Sequence, residues 1–267
     1  MSLVPAENSL QCLDEIRNTE EAVSAACGRK RRKRDLLELG VGYGLILLGI
    51  WTPRPWQRGF DLAALAWVVL ATAISFDGWT VMGLRERGFL RSLWVAGVAL
   101  VLAAGAVALS GWFGTLHAPQ YPAIFVQRYW TYAIWALLQE FLLLDFFLLR
   151  LLRLLRSKPV AVVATTALFA LGHMPNPVLM PLTILWGAIA CALFLRYRNV
   201  YTLGMAHAIF GICIAMTVPA QADHNMRVGL GYLTYRGHAH HSYHRNQSPQ
   251  IVSTEAWVMA EAPMRRS

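Results

Sequence analysis

What the chain most lacks is charge through its middle. Only 15% of its 267 residues are Asp, Glu, Lys or Arg, against roughly a quarter in a soluble domain. The shortfall is uneven. Residues 1–35 and 219–267 are polar, and the charges between them sit in short clusters. That distribution excludes an ordinary soluble enzyme and implies a membrane protein with two polar tails. Cysteine is scarce as well. The four cysteines, at 12, 27, 191 and 213, have neither metal-type spacing nor the pattern of a disulfide framework. The sequence has no Gly-rich phosphate loop, no HExxH and no internal repeat. Nucleotide binding, an HExxH metalloprotease and an inverted-repeat transporter therefore each lack their signature. No small-x-small cleavage site follows the first apolar run, which closes on "GIWTPRPW", so that run reads as a retained anchor.

What is present is a series of apolar runs, at about 36–52, 61–83, 93–113, 130–150, 159–174, 178–195 and 200–218. Crossing the hydrocarbon takes roughly 20 residues of helix. The first run is short. The fifth and sixth are short too, and only "MPNP" separates them, so they are either tilted or a re-entrant pair. The expected fold is all-α: a polytopic membrane helix bundle of about seven transmembrane helices. Its expected parts are a basic tail (1–35), a membrane bundle (36–218) and a polar, His-containing tail (219–267).

Basic residues alternate from loop to loop. "GRKRRKR" (28–34), then Arg85, Arg87 and Arg91, then Arg150, Arg153, Arg156 and Lys158, then Arg196 and Arg198 mark one side. The intervening loops hold Arg54 and Arg58, then Arg128, then none. The positive-inside rule puts the N-terminus in the cytoplasm, with a bacterial inner membrane as the expected location. The net charge of +9 is then loop charge facing anionic lipid headgroups, and no nucleic-acid partner is implied.

Polar residues inside apolar runs are costly, and they are functional candidates with a partner to be named. "WALLQEFLLLDFFLLRLLRLL" (135–155) carries Gln139, Glu140 and Asp145. "FALGHMPN" carries His173, and "MAHAIFG" carries His207. One carboxylate and two histidines on three successive segments can converge on a water, the carboxylate taking its proton while the histidines orient it. Taken singly, each is better explained by a structural role such as a helix–helix hydrogen bond; three polar sites in consecutive runs shift the balance. Asp145 is five residues from Glu140, about 140° around an α-helix, and is expected to pair with a basic group instead. Asp61 and Asp77 are expected at the two interfaces. Histidines 238, 240, 241 and 244 offer Zn²⁺ or Cu²⁺ ligands, although a polar, weakly ordered tail is the better reading, since no preceding fold holds them in place.

The ordered set over 130–218 resembles the CPBP family (CAAX proteases and bacteriocin-processing enzymes, Rce1-like or Abi-type). Phe169–Ala–Leu–Gly–His173 fits its Phe-x-x-x-His motif, and the spacing puts Phe169 and His173 on one helix face. His207 fits the His-x-x-x-Asn motif, with Gly211 where Asn is usual. "EFLLLDFFLLRLL" is similar in pattern to the family's Glu-rich stretch. Two registers are open there. Either Gln139 and Glu140 take the Glu-Glu pair, or Glu140 leads and Asp145 stands in place of the family arginine.

The resemblance implies an intramembrane endopeptidase acting on a membrane-anchored protein or peptide through a glutamate-activated water. Glu140, His173 and His207 would be catalytic, with Gln139, Phe169, Asp145, Gly211 and Asn176 in support. Asn176 is the side-chain donor available in place of the missing Asn. No cofactor is implied; the alternative is Zn²⁺ at Glu140, His173 and His207. Two other functions compete: a catalytically impaired immunity, chaperone or interaction protein of the same fold, and a small proton-coupled transporter.

Overall fold

The computed structural model of the chain describes residues 6–86, 88–117 and 121–235. Arg87, the side chains of Cys12 and Arg128, and histidines 238, 240, 241 and 244 of the tail lie outside what is described. All regular structure among the described residues is helical. The order is α1 (Ala6–Trp51), α2 (Arg54–Ile74), α3 (Phe89–Trp112), α4 (Pro122–Phe141), a π-helical segment (Leu142–Leu148), α5 (Leu149–Leu154), α6 (Lys158–Leu171), α7 (Leu179–Tyr197), α8 (Val200–Thr217), α9 (Ala220–Asp223) and α10 (Gly229–Leu233).

Among the described residues, five helical segments are long and apolar enough to cross a membrane: α2, α3, the continuous run Ala123–Leu154, α7 and α8. The protein is an integral membrane protein by that measure, with five such spans rather than the seven the apolar runs suggested. The other two runs differ for separate reasons. The first is the C-terminal part of the 46-residue α1, which also carries the basic cluster in the same unbroken helix. The fifth is α6, only 14 residues long, about 21 Å at 1.5 Å per residue and short of a hydrocarbon core of about 30 Å.

Outward-facing residues of the spans are large and apolar, such as Leu62, Val69, Val101 and Ile184. This is the expected arrangement where the surrounding solvent is lipid. The interior centres on α8, which packs against α3 and α4. Small residues permit this. A Cβ on Gly204 would come within 3.3 Å of the Cα of Leu137, so the α4 and α8 backbones approach as small-residue interfaces allow. Gly204 meets Leu137 and Gly211 meets Tyr132; as numbers rise along α8 they fall along α4, so the two run antiparallel. Ser92 of α3 and Thr202 of α8 share a buried hydrogen bond of 2.7 Å.

The π-helical segment runs through the middle of the core, with residues 143–148 all buried. Leu143, Leu144 and Leu148 join Phe169, Phe194 and Leu203 in one apolar cluster. Phe146 and Phe147 join Leu39, Val68 and Ala71 in a second. A segment apolar at every position but Asp145 belongs in such a place.

One end of the bundle is closed by charge. Arg150 donates to Glu38 at 2.7 Å, Arg153 to Asp35 at 2.8 Å, and Arg31 to Asp77 at 3.1 Å. Arg153 also reaches Asp77, which fits the interfacial place expected for that aspartate. At the other end, residues 219–235 are folded against the bundle, although composition alone had put them in the polar tail. Asn176 Nδ2 donates to the carbonyls of Asp223 and Arg227 at 2.7 and 3.0 Å, and Gly229 N–H donates to Met174 at 2.7 Å. Gly229 has φ +54° and presses on the backbone of Ile50, so a residue without Cβ is required there.

Candidate active site

Glu140 sits in the last turn of α4 and is fully buried. Cα–Cβ bonds tilt toward the N-terminus of their own helix. On antiparallel α4 and α8, Glu140 and His207 therefore lean toward each other. His207 Nδ1 lies 2.8 Å from Glu140 Oε2. Trp186 of α7 donates its indole N–H to the same oxygen at 3.1 Å. The other carboxylate oxygen, Oε1, is buried and has no protein hydrogen-bond partner.

His173 follows the last turn of α6. Its Nδ1 lies 2.8 Å from the carbonyl oxygen of Phe169, four residues back. A carbonyl only accepts, so Nδ1 carries the proton and Nε2 keeps its lone pair. Phe169 stands between the histidines: its ring centroid is 4.8 Å from that of His173 and 6.0 Å from that of His207, both edge-on. Glu140 and His207 are thus in direct contact, and His173 joins them across Phe169.

The supporting residues separate. Gln139 is half-buried and has no side-chain hydrogen bond among the described residues. Asn176, expected as a substitute donor, is not available. Its Nδ2 is committed to Asp223 and Arg227, and its Oδ1 accepts from Val178 and Leu179 N–H at 3.0 Å each. An Asn buried at a loop–helix junction is consumed by the backbone groups there.

Asp145 differs from expectation twice. Its carboxylate is buried with both oxygens unpartnered, and it makes no ion pair among the described residues. The neighbouring Arg150 instead pairs with Glu38 and donates to the Asp145 and Phe146 carbonyls. Nor does an α-helical turn relate it to Glu140, because it lies in the π-helical segment. The 140° separation assumed 3.6 residues per turn. The π-helical segment closes i→i+5 hydrogen bonds, which brings a residue five positions on back toward the same face.

The zinc alternative is not supported by the geometry. Among the described residues no three His, Cys, Asp or Glu side chains are grouped to hold a metal ion. The Nδ1 atoms of His207 and His173 are taken up by Glu140 and by a carbonyl.

Sequence reasoning missed Trp186 and Tyr132. A signal existed for Trp186. Tryptophans of membrane helices collect at the interfaces, whereas Trp186 lies in the middle of α7, where its N–H needs an acceptor. Tyr132 gave no such signal, because only the helix pairing brings it against Gly211.

Residues 127–213, from α4 through most of α8, match the family model described as Rce1-like, type II CAAX prenyl endopeptidase. The match supports a divergent CPBP-type protein, and the family is one of proteases. No curated protein and no solved structure matches the chain.

Proposed function

We propose that the protein is an intramembrane endopeptidase that hydrolyses a peptide bond of a membrane-anchored protein or peptide, with Glu140 as general base. The observation that carries this reading is the asymmetry of one carboxylate. His207 and Trp186 hold Oε2, while Oε1 is buried and free of protein donors. A water hydrogen-bonded to Oε1 gives up its proton there as its oxygen attacks the scissile carbonyl carbon. The carbonyl electron pair moves onto oxygen. Collapse of the tetrahedral intermediate breaks the C–N bond, and the leaving amine takes the proton from Glu140. His173 Nε2, an acceptor, holds the water's second hydrogen. No cofactor enters these steps, and no nucleic-acid partner is invoked.

The match over 127–213 supports the reaction class and nominates substrates to assay. These are a quenched fluorogenic farnesylated CAAX peptide and an unprenylated transmembrane peptide, each in proteoliposomes. Glu140→Gln is expected to abolish cleavage while the protein stays folded in the membrane. Equal rates for wild type and Glu140→Gln would end the proteolytic reading. The Lys/Arg alternation supports a cytoplasmic N-terminus in a bacterial inner membrane. Single-cysteine labelling from each side of the membrane tests this, with residue 30 expected to react only from within.

A second reading, a non-catalytic interaction or immunity protein of the same fold, is favoured by one observation. Gly211 supplies no side-chain donor where the resembled motif has one.

A further inference from the structure

Gly211 stands one turn beyond His207, and its missing side chain leaves no open space. A Cβ on residue 211 would fall on the hydroxyl oxygen of Tyr132, and its next nearest neighbours would be Cζ and Cε1 of the same ring. Glycine at 211 is what admits the phenol. Tyr132 belongs to α4, the helix that carries Glu140, and Gly211 to α8, the helix that carries His207. The hydroxyl therefore occupies the volume of a residue-211 side chain, between the two helices that supply the carboxylate and its histidine. Among the described residues it has no hydrogen-bond partner.

We propose that the Tyr132 hydroxyl is the oxyanion donor of the hydrolytic reaction, taking the part of the side chain that Gly211 lacks. The inference rests on the proteolytic reading above and adds a catalytic residue to it. Three other donors near the site are engaged. Asn176 holds the 219–235 segment, His173 Nδ1–H holds the Phe169 carbonyl, and Trp186 N–H holds Glu140. A phenol is both donor and acceptor. Carried on a ring packed against a helix backbone, it is held in place before charge develops on the substrate oxygen. Fixed donors of that kind act most strongly in the transition state. The arrangement also accounts for the glycine in the third motif, since the tyrosine across from it would clash with any side chain there.

The test uses the full chain in proteoliposomes, the same two peptides, and four variants measured beside wild type for kcat and KM. Tyr132→Phe is expected to lower kcat by about 10²–10³-fold, the usual cost of one oxyanion donor, with KM little changed. Tyr132→Leu is expected to be as slow. Tyr132→Leu combined with Gly211→Asn is expected to regain much of the loss, because removing the ring makes room for an amide donor at 211. Glu140→Gln serves as the inactive reference. If Glu140→Gln is inactive but Tyr132→Phe keeps the wild-type kcat, or changes only KM, the donor role is overturned and the protease reading stands. If Tyr132→Phe fails to fold, the comparison of Tyr132→Leu with and without Gly211→Asn decides; no gain from the asparagine overturns the proposal. If wild type and Glu140→Gln are equal, both readings fall together.

Discussion

Glu140 and His207 are separated by 67 residues and meet at 2.8 Å across two antiparallel helices. Trp186 adds a second donor to the same oxygen at 3.1 Å. The two donors serve different ends. Replacing Trp186 with Phe keeps the ring edge against Phe210, 5.3 Å away between centroids, and removes one hydrogen bond to a carboxylate, worth about 1.5–3 kcal/mol. Its expected effect is a few-fold loss of kcat with the fold intact. His207→Phe removes the partner of a fully buried carboxylate. It is expected to abolish cleavage and to cost about 3–5 kcal/mol of stability, the range for leaving a buried charge uncompensated. Thermal unfolding in detergent beside peptide cleavage separates the two effects. Equal loss of stability in both variants would contradict the division.

Asp145→Asn should be mild. The carboxylate is buried with no partner on either oxygen, and an amide of the same shape loses no hydrogen bond on replacing it. The expected outcome is unchanged or higher thermal stability and cleavage within a few-fold of wild type. Loss of cleavage comparable to Glu140→Gln would make Asp145 part of the chemistry.

The buried Arg150–Glu38 pair joins α1 to α5 at 2.7 Å, and Ser75 donates to the same glutamate at 2.6 Å. Arg150→Met leaves Glu38 buried without its main partner and should destabilise by about 3–5 kcal/mol. Adding Glu38→Leu should recover most of that, because two matched apolar groups replace two matched charges. Scanning fluorimetry of the single and double variants measures the coupling; additive effects would show that the pair carries none.

Asn176→Ala should release the segment that follows α8. Four hydrogen bonds converge on that one side chain, and leaving buried backbone groups unpaired costs roughly 1–3 kcal/mol for each group affected. Faster proteolytic cleavage between residues 219 and 235, with the bundle still folded, is the expected result. Deletion of 236–267 should leave the bundle folded, since no apolar span is removed.

How much of this was legible beforehand depends on the range of the interaction concerned. The apolar runs, the alternation of basic loops, and the placing of Phe169 and His173 on one face are local facts. They follow from the rise and period of a helix and from the cost of charge in hydrocarbon. Glu140, His173 and His207 could be singled out because an ionisable group in an apolar run is unusual wherever it points. The count of spans could not be settled the same way, because the apolar run at α6 is too short to cross and the run at 36–52 is the end of one long helix.

What only the tertiary structure decided is which of those groups touch. Helical periodicity assumes a constant turn, and the π-helical segment between Glu140 and Arg150 breaks that assumption for Asp145. Asn176 looked like a free donor until residues 219–235 folded onto it. Tyr132 and Gly211 gave no sign of each other in sequence, because their contact exists only through the antiparallel docking of α4 on α8. The sequence by itself determined a helical membrane protein with costly polar groups in its second half, because burial in lipid constrains each segment independently. Which oxygen each of those groups faces was set by packing between segments, where small residues, an irregular turn and a returning chain place atoms that no local pattern encodes.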